Sequence, residues 1–113
     1  MHLDDESSYY AVIFTSVRTD GDYGYSLMAT KMLELAKIQQ GFLGVESARE
    51  EIGITVSYWK SLGAIKKWKE HVDHTFARNL GREEWYSSYT VRISKVIREY
   101  SFHKEVKYNR GES

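Results

Sequence analysis

The strongest constraint on the fold is the order in which the spacing of apolar residues changes along the chain. The run from Tyr9 to Arg18 is β-branched and aromatic and is typical of a strand. Helical spacing follows, with Met28, Met32 and Leu35 recurring every three to four residues. Two further strand-like runs, a second helical stripe and a last strand complete the pattern. The order β-α-β-β-α-β predicts a ferredoxin-like α+β fold with a four-stranded antiparallel sheet.

The turn and capping signals set the predicted boundaries. Asp20-Gly21-Asp22 forms a turn that can supply an N-cap, and Gly41 suits the end of the first helix. Phe42 to Arg49 and Ile52 to Trp59 are predicted as the second and third strands, joined by a tight polar connection. Ser61 is a plausible N-cap for the second helix. Its apolar stripe is Ala64, Ile65, Trp68, Val72, Phe76 and Leu80, and it is expected to stop at Gly81.

The end of the chain predicts a turn over residues 82–87 and a long last strand from Tyr89 to Phe102. The apolar positions of this strand change phase near Ser94 and Lys95. Such a switch indicates a β-bulge at that point or a change of strand partner.

The first strand predicts a homodimer. Tyr10, Val12 and Phe14 point to one face of the sheet, while Ile13 and Val17 point to the other. Two helices can cover one face of a four-stranded sheet, so the second apolar face needs another cover. A second copy of the chain is the simplest candidate.

Composition narrows the remaining classes of protein. The 113 residues suit one domain, predicted over residues 9–102 between polar tails at 1–8 and 103–113. Sixteen basic residues balance sixteen acidic ones, and no basic face is evident, so nucleic-acid binding is not expected. The absence of cysteine excludes thiolate metal sites and a cysteine nucleophile. No run is long and apolar enough for a membrane span, which predicts a cytoplasmic protein.

Several short motifs, in their order and spacing over about residues 9–102, resemble the antibiotic biosynthesis monooxygenase (ABM) domain. The matching residues are Gly41-Phe42 with Glu46-Ser47, Tyr58-Trp59-Lys60-Ser61 with Ala64, Ile65 and Trp68, and then Gly81-Arg82, Trp85-Tyr86, Tyr89, Arg92, Val96, Arg98 and Tyr100.

The resemblance implies a dimeric α/β barrel and an oxidoreductase activity. Members of the family oxygenate polycyclic aromatic substrates without metal or flavin, degrade haem, or act on quinones. Haem-degrading members use an asparagine on strand one, a tryptophan on helix two, and a histidine ten residues after it. Trp68 fits the tryptophan position, but Arg78 stands at the histidine position and strand one carries no asparagine. Haem degradation is therefore disfavoured.

The resulting hypothesis is a cofactor-independent monooxygenase that acts on a small aromatic, phenolic or quinol substrate, with no metal. The alternative is a non-catalytic small-molecule-binding or stress-related dimer. The cleft between helix two and the sheet is expected to bind the substrate, with His74 and Arg78 as catalytic residues. The expected substrate-binding residues are Trp68, His71, Phe76 and Trp85.

Each of these residues also has a purely structural interpretation. Trp68 lies on the apolar stripe and can be core packing between helix and sheet. His71 and His74 are three residues apart, which is typical of one solvated flank of a helix. Arg78 can form a surface ion pair instead of binding a phenolate or carboxylate.

Overall fold

The computed structural model of the chain describes residues 8–79 and 82–105, with the backbone alone at residues 76–79 and 82. The strands form a four-stranded sheet in the order β2-β3-β1-β4, and neighbouring strands are antiparallel. The ferredoxin-like α+β fold predicted from the sequence is confirmed. The elements are β1 (Tyr9–Arg18), α1 (Tyr25–Lys37), β2 (Phe42–Arg49), β3 (Gly53–Trp59), α2 (Leu62–Asn79), α3 (Arg82–Trp85) and β4 (Tyr86–Val96).

The strand register sorts the side chains onto two faces, because residues paired across antiparallel strands share a face. We call these the helix-side face and the open face. The helix-side face carries Tyr10, Val12, Phe14, Ser16, Gly53, Thr55, Ser57, Trp59, Val45, Ser47, Arg49, Tyr89, Val91, Ile93 and Lys95. The open face carries Ala11, Ile13, Thr15, Val17, Ile54, Val56, Tyr58, Ser88, Thr90, Arg92 and Ser94.

Both long helices contact the sheet on the helix-side face. Trp68 of α2 stacks on Trp59, and Tyr25 of α1 meets the ring of Tyr86 edge-on. On the open face, Val17 is 38 % exposed and Ile54 is 46 % exposed. One copy of the chain therefore leaves apolar surface on that face uncovered.

The two long helices begin differently. The N-cap of α1 is Gly24, two residues after the predicted turn Asp20-Gly21-Asp22, and it makes no side-chain cap bond. The Asp22 carboxylate accepts hydrogen bonds from the N–H groups of Gly24 at 3.0 Å and Ser26 at 3.1 Å. The Ser26 hydroxyl donates a further bond at 2.6 Å, and these bonds lower the pKa of Asp22. At α2, Ser61 Oγ accepts from the N–H of Ala64 at 3.1 Å, which confirms the predicted N-cap.

The end of the sheet differs from the prediction in several respects. Residues 82–85 form the short helix α3 where a turn was predicted, and β4 runs over Tyr86–Val96 and not from Tyr89 to Phe102. The strand stops at Val96 because that residue pairs with Tyr9, the first residue of β1. The predicted bulge near Ser94 is wrong: the register shifts between Val17 and Arg18. The phase change arises because residues 97–105 have left the sheet.

Smaller differences concern β3 and α2. The third strand begins at Gly53, one residue after the predicted start, because the N–H of Glu50 bonds to the carbonyl of Ile52 and keeps that residue in the turn. The predicted stop of α2 at Gly81 and the stripe residue Leu80 lie outside the described residues.

Gly41 is held in a backbone conformation that favours glycine, and we expect Gly41→Ala to destabilise the protein. Its φ is +89°, and a Cβ there would lie 2.7 Å from Cβ of Ala64 on α2. The expected loss is about 1–3 kcal/mol of unfolding free energy, measured by urea denaturation. Gly44→Ala is the matched control, because nothing lies within 4 Å of a Cβ at Gly44. Equal losses in the two variants would contradict this account.

Candidate ligand-binding site on the helix-side face

A pair of stacked tryptophans stands at one end of the helix-side face. The rings of Trp59 and Trp68 have centroids 5.9 Å apart and planes 25° apart, and Phe42 meets Trp59 edge-on at 5.4 Å. Trp59 is fully buried and its Nε1 donates to Ser57 Oγ at 2.8 Å. Trp68 is half-buried. The pair therefore combines a fixed inner ring with an outer ring that keeps part of its surface accessible.

The two histidines of α2 follow Trp68 along the helix. The imidazole of His71 lies 6.4 Å from the Trp68 ring, with their planes 34° apart, and both His71 and His74 are exposed. Across residues 8–79 and 82–105, no three metal-ligating side chains come together. The side chains of Phe76 and Arg78, predicted to bind substrate and to act in catalysis, lie outside the described residues.

Trp85, the remaining predicted binding residue, lies far from Trp68. It is 4 % exposed in α3, and its Nε1 donates to the Tyr23 carbonyl at 2.9 Å. Its own carbonyl accepts from the Arg18 Nε at 2.8 Å. Arg18 ends β1, whereas Trp59 pairs with Tyr10 at the beginning of that strand. The strand rise puts these two ends roughly 25 Å apart.

The sequence reasoning missed a cluster of aromatic rings at the far end of the face. Phe14 and Tyr89 are stacked with centroids 5.3 Å apart, and Tyr86 lies 5.5 Å from Phe14 and 5.7 Å from Tyr89. Tyr25 from α1 meets Tyr86 at 5.7 Å. We call these four residues the tyrosine cluster. From the sequence, Phe14 and Tyr89 could have been placed on one face of the sheet. Tyr25 could not, because it is distant in sequence, and Tyr86 could not, because β4 begins earlier than predicted.

Two arginines hold fixed positions beside the tyrosine cluster. The Arg18 guanidinium lies over the Tyr25 ring at 3.5 Å, a cation–π contact, and also donates to the Gly21 carbonyl at 3.1 Å. Arg49 Nη2 donates to Ser16 Oγ at 2.5 Å. Since Ser16 is 2 % exposed, Arg49 bonds to a buried group and not to solvent-facing surface.

The Tyr86 phenol is held in its neutral form. Burial raises the pKa of Tyr86 most, and the hydrogen bond with Tyr25 raises it further, whereas the charges of Arg49 and Arg18 lower it less. At neutral pH the phenol therefore remains a hydrogen-bond donor, placed close enough to both arginines to sense their charge.

This shift predicts a loss of stability in alkaline solution. A phenol whose pKa is higher in the folded state stabilises the fold below the unfolded value, about 10, and that contribution is lost as the pH rises further. We therefore expect Tyr86→Phe to flatten the fall in melting temperature between about pH 10 and pH 12. Tyr100→Phe, in a ring that is 83 % exposed, is the control. Equal changes of slope in the two variants would argue against this role for Tyr86.

On the open face, at the end of the sheet away from the tyrosine cluster, two tyrosines donate hydrogen bonds to carboxylates. The Tyr58 hydroxyl donates to Glu46 at 2.8 Å, and the Tyr9 hydroxyl donates to Glu99. The bond to Glu99 is the main cause that raises the pKa of Tyr9 to about 12. Residues 98–101 and these side chains line a wide recess of about 660 Å³. It lies on the other face of the sheet from the tryptophan pair.

Sequence comparison with known proteins shows a relative of this chain. No protein-family model matches the sequence. The uncharacterised protein YqjZ of Bacillus subtilis is 52 % identical over 99 residues, which are 86 % of this chain and 87 % of YqjZ. The chain belongs to the YqjZ family.

Solved structures share the fold of this YqjZ-family protein. A Bordetella bronchiseptica protein, provisionally named an antibiotic biosynthesis monooxygenase, aligns with a TM-score of 0.60 and 15 % identity over 77 % of this chain and 95 % of its own. An R26S mutant of MhuD, with two manganese protoporphyrin IX molecules bound per active site, aligns with a TM-score of 0.60 and 18 % identity over 82 % and 99 %. The ABM-like fold expected from the sequence motifs is thereby confirmed.

One further expectation concerns membranes. Among the described helices, none is both long and apolar enough to cross a bilayer.

Proposed function

We propose that the chain binds a flat aromatic molecule between α2 and the helix-side face and, as a cofactor-independent monooxygenase, oxygenates it. The observation that carries the proposal is the stacked pair Trp59–Trp68, whose outer ring is half-buried. An indole with one face packed and part of its surface accessible offers a stacking surface for a planar ligand. The ABM-like fold supports the choice of reaction.

The proposed chemistry needs a substrate that supplies its own electrons. An anthrone, as its enolate, passes electrons to dioxygen, forms a C–O bond at the carbon opposite the carbonyl, and leaves as the anthraquinone. One oxygen atom enters the product and the other leaves as water, so no external reductant is required. The protein binds the ring, accepts the proton at His74 and restricts water, while Arg78 stabilises the enolate.

The test is oxygen uptake with anthrone as the probe, measured against the uncatalysed background. We expect protein-dependent uptake with one anthraquinone formed per dioxygen, and a loss of at least about tenfold in kcat/KM for Trp68→Ala. His74→Asn should lower kcat with little change in KM. Uptake no faster than the background, in a protein that still binds the ring, would overturn the oxygenase proposal.

A non-catalytic binding protein is the second candidate. It is favoured by the exposure of His71 and His74 on α2. In the described part of the chain no hydrogen bond orients either imidazole, whereas a general base is usually oriented by a partner. Binding of the aromatic probe without oxygen uptake would select this function.

The proposed assembly is a homodimer that covers the open face. Its support is the apolar surface that one copy leaves exposed there, at Val17 and Ile54. A specific interface of this kind should bury roughly 1,000 Å² or more in total. The cytoplasmic location and the lack of a nucleic-acid partner remain predictions.

A further inference from the structure

Arg49 reaches across the sheet in a way that its position on an edge strand does not require. It ends β2, pairs with Gly53 of β3, and Gly53 pairs in turn with Ser16 of the central strand β1. These three residues form one row across the helix-side face. The guanidinium lies over Gly53, where a Cβ would stand 2.1 Å from its Cζ. The glycine thus leaves the room that lets the arginine cross β3.

The contacts of Arg49 leave much of its hydrogen-bonding capacity unused. Nη2 donates to Ser16 Oγ at 2.5 Å and Nη1 to the Ser16 carbonyl at 3.5 Å. A guanidinium has five N–H donors in a planar fork that suits a carboxylate. Over residues 8–79 and 82–105, no carboxylate lies within ion-pair distance of Arg49. Within the described residues, the result is a positive charge held by Ser16 without a counter-charge.

Two aromatic rings share this face beside Ser16, the residue that holds Arg49. Tyr89 pairs with Ser16 and stacks on Phe14. A cation next to aromatic rings is a combination that suits an aromatic acid.

The two ends of the helix-side face carry different groups: the tryptophan pair lies at one end and Arg49 at the other. Trp59 pairs with Tyr10 and Gly53 with Ser16, so the tryptophan pair and Arg49 stand at two ends of a surface roughly 20 Å long. The floor between them consists of Val12, Phe14, Thr55 and Ser57. A ligand of three fused rings is shorter than this floor, so it can lie on the part of the floor nearest Arg49, with its carboxylate beside the guanidinium.

We infer that Arg49 binds the carboxylate of a polycyclic aromatic acid whose rings lie along this floor. The inference names the class of ligand for the proposed function and rests on it. An arginine that merely clamps β2 to β1 is the competing explanation, and it predicts no preference for an anionic ligand.

The test is calorimetric titration with anthracene-2-carboxylate and with its neutral amide, anthracene-2-carboxamide. We expect the wild-type protein to bind the carboxylate at least about tenfold more tightly than the amide. Arg49→Gln should bring the ratio close to one and leave the affinity for the amide within about twofold. Lys37→Gln removes one positive charge at the end of α1 and should preserve the preference.

A second variant separates position from charge. Gly53→Ala keeps Arg49 but places a methyl group where its guanidinium lies, so it should also abolish the preference. Circular dichroism melting checks that the variants are folded. Amide binding with no carboxylate preference, or a preference that survives Arg49→Gln, would overturn this inference alone. Failure to bind either probe would overturn it together with the proposed function.

Discussion

Replacing Trp59 by alanine is expected to lower the free energy of unfolding by about 3–5 kcal/mol. The indole is fully buried between Phe42 and Trp68, and its N–H bonds to Ser57. Truncation removes this apolar contact and leaves a cavity between α2 and the sheet. Urea denaturation followed by far-ultraviolet circular dichroism measures the loss directly.

Trp68→Ala is the matched variant for that experiment. The two indoles stack on one another, but Trp68 is only half-buried, so its truncation should cost clearly less than that of Trp59. Equal losses of unfolding free energy would mean that both rings are core residues. Trp68 would then offer no accessible surface on which a ligand could stack.

The second large effect is expected from a charge on the open face: Ile54→Lys should convert the proposed dimer into a monomer. Ile54 is 46 % exposed in one copy, so a lysine there costs the single chain little. In a dimer packed through this face, the same lysine would be buried without a partner, which is strongly unfavourable. Sedimentation velocity at micromolar concentration measures the change in mass.

Leu27→Lys is the control for the dimer experiment. Leu27 lies on α1 and is 78 % exposed, so its replacement makes the same change of charge away from the open face. The control should sediment as the wild type does. A wild-type protein that is already monomeric, or an Ile54→Lys variant that remains dimeric, would contradict the proposed assembly.

The fold could be predicted from the sequence because its signals are local. The alternating residues of Tyr9–Arg18, the serine before α2 and the glycine before β2 each determine the backbone near them. The end of β4 could not be predicted in this way. Val96 ends the strand because β1 offers no partner beyond Tyr9, and that limit depends on pairing between distant segments.

The residues of the candidate site also divide into those that local sequence patterns predict and those that depend on distant contacts. Trp68 could be found from its place on the apolar stripe of α2, while its stacking on Trp59 depends on the angle at which the helix crosses the sheet. Arg49 gave no local signal, because its role depends on a row of three residues from three strands. Tryptophan is a residue type common in binding sites, but Trp85 is buried in α3, where it bonds to Tyr23 and Arg18.

The central claim is that a planar aromatic ligand stacks on Trp68, and calorimetric titration with the neutral probe anthracene-2-carboxamide tests it most directly. The wild-type protein should bind this probe with measurable heat. Trp68→Ala should weaken the affinity at least about tenfold, since stacking on an aromatic side chain contributes on the order of 1 kcal/mol beyond the apolar area it buries. Unchanged affinity in a folded Trp68→Ala variant, or no binding to the wild type, would contradict the claim.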